Sequence, residues 1–129
     1  MSAWAYVNTR MGRLFRRMGH HVKAERLARK VLGVFPDYAP AWRLLGIELA
    51  SRVDESHRDE HIESEAENAF RRAHALRPDD YYTTRNLVCL LGWLGKTEEA
   101  CLVADCFVTP ERREKAELQE VARAYTAKR

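Results

Sequence analysis

No run of this 129-residue sequence is long and apolar enough to span a bilayer. The longest strongly apolar stretch, Asn86 to Leu94, is broken by Gly92. The opening Met1-Ser2-Ala3-Trp4-Ala5-Tyr6 lacks a basic segment followed by an apolar one, so neither a secretory signal nor membrane insertion is expected. Cysteine is scarce as well. Cys89, Cys101 and Cys106 are odd in number and contain no Cys-x-x-Cys pair, which argues against the disulfide framework of a small secreted domain. They read as small buried or half-buried apolar residues in a reducing cytoplasm, with a regulatory thiol as the lesser alternative.

The motifs of catalysis are missing too. There is no Gly-x-Ser-x-Gly, no phosphate-cradling glycine-rich loop and no His-Glu-x-x-His. Cys89 or Cys106 with His74 would supply a nucleophile and a base, but no spacing orients them. Neither enzymatic activity nor a cofactor is expected. His57 and His61 stand four residues apart, which on a helix would place both imidazoles on one face, with Asp54 or Glu65 as oxygen ligands. No Glu follows the first His and no third His or Cys lies near, so the pair reads as fortuitous surface histidines and no metal is assigned.

What is present is a chain 46% hydrophobic and 32% charged, too apolar for a disordered tail and too evenly charged for a membrane protein. It also contains a repeat. Pro36 is preceded at fixed offsets by Met11-Gly12, Phe15, Gly19, Ala24, Ala28 and Val31; Pro78 by Trp42, Leu45-Gly46, Leu49, Ala66, Phe70 and Ala73. A third copy runs Leu87, Leu91, Gly95, Ala100, Ala104 and Phe107. Spacings of three and four residues put each set on one helical face. Gly or Ala lets antiparallel helices approach closely while Trp, Leu or Phe fills the flanking gap. Pro36-Asp37 and Pro78-Asp79 are expected to end one helix and cap the next, with Thr109-Pro110 doing the same in the third copy.

This pattern resembles the tetratricopeptide repeat, most closely in Trp42-x-x-Leu45-Gly46, Ala66-x-x-x-Phe70-x-x-Ala73 and Pro78, over roughly residues 5 to 110. Val88 departs from it, standing where a small residue is expected. The resemblance implies an all-α fold in which antiparallel helix-turn-helix repeats stack into a short right-handed α-solenoid of about seven helices. The expected helices are Trp4–Met18, His20–Gly33, Ala39–Arg52, Ile62–Leu76, Asp80–Leu94, Thr97–Val108 and Glu111 to about Ala127. All belong to one domain, 1–129, with repeats near 5–36, 39–78 and 81–110 and a final capping helix over 111–127.

One repeat is overlong: Pro36 and Pro78 are 42 residues apart, against a period of about 34. The surplus, near 51–65, lengthens the two helices or forms a polar loop. The lack of Gly and Pro between Arg52 and Pro78 favours the helices, with Ser56 or Asp59 as cap. Charge is unevenly distributed. Residues 1–36 carry eight Lys and Arg against the single acid Glu25, and residues 52–67 carry two Arg against seven acids. The acidic stretch reads as a solvated protrusion, with a contact feature as the alternative.

In the family that the chain resembles, first helices line a concave groove that binds peptides or partner helices. Carried over by position, the lining is Tyr6, Thr9, Arg13, Arg16, Arg43, Ile47, Tyr82, Arg85, Cys89 and Trp93. Aromatic anchors beside guanidinium groups suit a protein or peptide partner with acidic and apolar side chains. The carboxylate clamp of one subfamily is missing, since Thr9, Arg13, Leu44, Tyr82 and Asn86 occupy its places. Small bacterial secretion chaperones are similar in architecture and size. The expected role is a cytoplasmic, non-catalytic adaptor, scaffold or chaperone. Nucleic acid, drawn by the stripe Arg10, Arg13 and Arg17, ranks behind it, as does a self-assembling scaffold or homo-oligomer joining the basic and acidic segments.

Overall fold

The computed structural model describes residues 2–127; positions 1, 128 and 129 of the expected domain lie outside them. Among the described residues there are seven helices and no strand: α1 (Ala3–Arg17), α2 (His21–Val34), α3 (Ala39–Ala50), α4 (Glu60–Leu76), α5 (Tyr81–Trp93), α6 (Thr97–Cys106) and α7 (Arg112–Ala127). Their bounds fall within two residues of those read from the sequence. The chain forms two compact units, Met1–Leu76 and Arg77–Arg129.

In the first unit, α1 begins at Ser2, whose hydroxyl accepts the amide of Ala5 at 3.3 Å. It ends at Gly19, where φ is 83°. There the Gly19 amide donates to Arg16 O at 3.0 Å and the His20 amide to Phe15 O at 2.8 Å, closing the last turn around a left-handed residue that a Cβ would penalise. The inward face of α1 is small (Ala5, Thr9, Gly12) and packs on α2 and α3. The crossing of α3 and α4 is tighter still. A Cβ built on Gly46 would sit 2.7 Å from the Phe70 ring, so the glycine is what admits the ring. Phe70, Ala66, Ala69 and Ala73 of α4 are all buried.

The prolines punctuate the chain by a different device from the one expected. The amide of Tyr38 donates to Phe35 O and that of Asp80 to Arg77 O, both at 3.2 Å. Each closes a turn with proline at its second position. That turn consumes Asp37 and Asp79, so neither caps a helix. Tyr38 takes the N-cap place of α3 and Asp80 that of α5, where its carboxylate accepts the Thr83 hydroxyl at 2.6 Å. Asp37 instead faces Arg72 at 3.9 Å. Thr109 does tie the start of α7, accepting from the Glu111 amide at 3.1 Å and donating to Glu114 at 2.9 Å, but the helix begins only at Arg112.

The surplus residues form a loop rather than longer helices. Asp54 accepts the amides of Ser56 and His57 at 2.8 and 2.7 Å, and Asp59 those of His61 and Ile62 at 3.0 and 3.2 Å. Such local bonds give the backbone an alternative to helix, and Asp59 thereby becomes the cap of α4. Three of the acids that follow are paired within the chain. Arg58 grips Glu63 through two bonds at 2.8 and 2.9 Å, Arg29 reaches Glu65 at 2.9 Å and Arg71 holds Glu67 at 2.8 Å. The His57 amide, Arg58 and Arg29 hold the carboxyls of Asp54, Glu63 and Glu65, respectively, below the ordinary carboxylate range.

The second unit repeats the α1–α2 turn. Gly95 has φ 86°, its amide donates to Gly92 O at 3.1 Å, and the Lys96 amide donates to Leu91 O at 2.8 Å. Helix α7 packs on both α5 and α6, burying Leu118 and Ala122. The Tyr125 ring lies so close over Gly92 that a side chain there would collide with it. Tyr81 donates to Glu117 at 2.8 Å and Gln119 to Asp105 at 2.9 Å, fastening α7 to both helices beneath it.

Two outcomes follow for stability. Gly46→Leu overpacks the site and costs about 1–3 kcal/mol, and Phe70→Ala costs about 3 kcal/mol. The double substitution loses less than the sum, because leucine fills the space that the ring leaves. Urea denaturation of the three variants checks this; strict additivity would show that the two positions do not touch. For pH, carboxyls with depressed folded values add stability that is present above the unfolded values near 4 and disappears as pH falls through the folded ones. Thermal midpoints should therefore drop between pH 5 and 3, and less so in Glu63→Gln plus Glu65→Gln. An unchanged slope would remove these pairs as its source.

Candidate functional site

In the first unit, α1 and α3 pack side by side and bring their arginines together. Tyr6 and Arg13 are exposed on α1, and Arg43 and Ile47 are half-buried on α3, one turn apart. Arg13 is held below the usual guanidinium range by partial burial and by the charges of Arg43, Arg10, Arg17 and Arg16. Within that cluster of five cations, Arg16 reaches a buried acid. Glu48, 1% exposed, meets Arg16 at 3.5 Å and His21 Nδ1 at 2.8 Å. Arg10 stacks on the Tyr6 ring at 5.7 Å. Thr9, expected on the lining, is buried, and its hydroxyl finds no hydrogen-bond partner among the described residues.

In the second unit, Tyr82, Arg85, Cys89 and Trp93 follow one another at spacings of three and four along α5 and so share a face. Tyr82 and Arg85 are exposed, and Cys89 and Trp93 are half-buried. Tyr82 stands edge-on to Tyr81 at 5.4 Å. Burial pushes the Cys89 thiol up, with Arg85 opposing, and burial likewise raises the Tyr125 phenol, with Cys89 adding to the shift.

The histidine pair does not share a helix face. His57 lies in the loop before Glu60, hydrogen-bonding distance from Asp54 at 3.3 Å, while His61 is in the first turn of α4. Among the described residues no group of three or more His, Cys, Asp or Glu is arranged to hold a metal ion. His74, half-buried, has its pKa lowered by burial and then by Arg71. All three cysteines are free, and Cys106 is exposed, unlike the sheltered position expected for it. No described helix is long and apolar enough to cross a membrane.

No protein-family model matches the sequence, and no curated protein matches it. Solved structures do match. One is a mutant of the Thermobaculum terrenum O-GlcNAc transferase, 22% identical, with a TM-score of 0.66 over 93% of this chain. The fold is that of a tetratricopeptide-like helical repeat. The chain spans about a fifth of that protein's length, the matched share being 21%. At this identity the likeness concerns the fold, and glycosyl transfer is stated of that protein alone.

Two features of these faces were not singled out in the sequence. Glu48 is a charged residue on the inward stripe of α3 between Leu44, Leu45 and Leu49, a placement that flags a buried acid needing cations. Gly92 interrupts an apolar run in the sequence, and in the fold it is the seat of Tyr125. No local pattern announces that contact, which joins residues 33 apart. The thiols offer a direct check on the second unit. Alkylation of the native chain near pH 7.5 should modify Cys106 at least about tenfold faster than Cys89, whose thiolate is disfavoured by burial. Equal rates, read by peptide mass spectrometry, would contradict the sheltered setting of Cys89.

Proposed function

We propose that the chain is a non-catalytic protein-interaction module whose first-helix faces bind a peptide or helix rich in acidic and apolar side chains. The observation that carries this is the arginine cluster of α1 and α3. Arg13 lies among four other guanidinium groups, and no carboxylate lies within ion-pair distance of it among the described residues. Like charges gathered on one face repel one another, and an anionic ligand relieves that repulsion. Carboxylates suit it well, because guanidinium pairs with them through two parallel bonds. Tyr6 and Ile47 supply apolar contact beside the charges, and on α5 Tyr82, Arg85, Cys89 and Trp93 offer the same mixture. An adaptor, scaffold or chaperone of the cytoplasm is the corresponding cellular role.

A nucleic-acid backbone is the second reading, favoured by the stripe Arg10, Arg13 and Arg17. Self-assembly through the acidic segment has less behind it, since Glu63, Glu65 and Glu67 already have cationic partners in their own chain.

Fluorescence anisotropy with labelled peptides alternating Leu or Phe with Glu or Asp tests the first reading against oligonucleotides of random sequence. Peptide affinity should fall at least about tenfold in Arg13→Glu plus Arg43→Glu, and a smaller loss is expected for Arg85→Glu. Oligonucleotide binding should be weak at about 0.15 M salt. Peptide binding that ignores the double charge reversal sinks the assignment to α1 and α3. Tight, strongly salt-dependent binding of oligonucleotides in place of peptide transfers the site to nucleic acid.

A further inference from the structure

Helix α1 has a second face that points away from the packing described above. Val7, Met11, Leu14 and Met18 are 53, 45, 55 and 58% exposed. Their spacings of four, three and four residues align them into one continuous stripe, the repeat by which helices pack against other helices. The inward side chains Ala5, Thr9 and Gly12 lie on roughly the opposite side of the same helix, so nothing in the first unit's core uses this stripe.

The borders of the stripe are cationic on both sides. Along one edge run Arg10, Arg13 and Arg17, whose side chains wall a shallow cavity of about 380 Å³ over Val7, Met11 and Leu14. Along the other edge α2 contributes Lys23, stacked on Phe15 at 5.5 Å, and Lys30, stacked on Trp4 at 5.8 Å. Arg10, Arg17, Lys23 and Lys30 have no carboxylate within ion-pair distance among the described residues. Glu25, the one acid among residues 1–36, is engaged elsewhere by Arg29 and Arg52, at 3.5 and 2.8 Å.

An apolar strip between two rows of cations specifies its complement. We propose that this face receives an amphipathic α-helix of a partner protein, with apolar side chains at three-and-four spacing and Asp or Glu on both flanks. A second copy of α1 laid on the stripe would set arginine against arginine. The acidic segment of another copy is a poor substitute, since Glu63, Glu65 and Glu67 are paired internally. A flat anionic bilayer would leave the walled cavity unfilled, whereas the knobs of a helix fill it. The two methionines add flexible side chains that adapt to whichever knobs arrive. This stripe shares its Arg10, Arg13 and Arg17 edge with the α1–α3 cluster of the proposed function, and Met11 and Leu14, which that function does not use, tell the two apart.

The probe is a labelled, hydrocarbon-stapled helical peptide of about three heptads, with Leu at the apolar positions and Glu on both flanks. Its counterpart carries Lys flanks. Anisotropy at about 0.15 M salt should show saturable binding of the Glu-flanked probe and at least tenfold weaker binding of the Lys-flanked one. Met11→Ser plus Leu14→Ser should weaken the Glu-flanked probe at least tenfold with an unchanged helical circular dichroism spectrum, since both side chains are exposed. Should that variant lose structure, Lys23→Glu plus Lys30→Glu makes the same test through the charges of the edge that the α1–α3 cluster does not share. Absent binding, or equal binding of both probes, overturns the proposal. So does a dimer in sedimentation velocity that Met11→Ser plus Leu14→Ser dissolves, or vesicle binding (phosphatidylcholine with phosphatidylserine) in a protein that ignores the probe.

Discussion

Close approach of helix backbones is the constraint on which the first unit depends. Phe70 can lie between α3 and α4 only because position 46 has no side chain, and Gly12 gives Leu44 the same freedom where α1 meets α3. Ala24, Ala28, Ala66, Ala69 and Ala73 extend that principle along α2 and α4, all fully buried. Small residues bury little apolar area themselves, so the large ones set among them must fit closely. The second unit reaches the same end with Gly92 and Tyr125, using a contact between α5 and α7.

Charge is organised by this packing rather than by composition. The acidic segment looks like an exposed patch when its residues are counted, yet Arg29, Arg58 and Arg71 neutralise three of its acids, two of them from α2 and the loop itself. On the basic first helix, Arg16 shares the buried Glu48 with His21. Among the described residues, Arg10, Arg13 and Arg17 therefore show their surroundings positive charge with no ion-pair partner, while Glu63, Glu65 and Glu67 are spent internally. That asymmetry, joined to exposed apolar side chains on α1, is what an acidic partner would meet.

Much of the fold was legible because helical periodicity and proline spacing are local signals. Trp42, Leu45-Gly46 and Phe70 located the α3–α4 crossing, and the paired glycines Gly19 and Gly95 mark equivalent turns with matching hydrogen bonds. The caps were less legible. Asp37 and Asp79 have the right chemistry, but a proline turn of four residues places the helix start one position beyond each. The extra residues between α3 and α4 carried no Gly or Pro, yet Asp54 and Asp59 turned them into a loop by bonding nearby amides. Of the candidate lining, Arg13, Arg16 and Arg43 do gather, whereas Thr9 is spent on the interior.

The sequence by itself determined seven helices, their lengths within a turn, the small-and-large rule at their crossings and the segregation of basic from acidic residues. Only the tertiary structure decided that Glu65 answers Arg29, that Tyr125 sits on Gly92, and that Val7, Met11, Leu14 and Met18 stay bare. The reason is physical. Periodicity says which side chains share a face, because that depends on neighbours three and four residues away. What covers a face depends on residues tens of positions distant, and no local repeat records which helix arrives there.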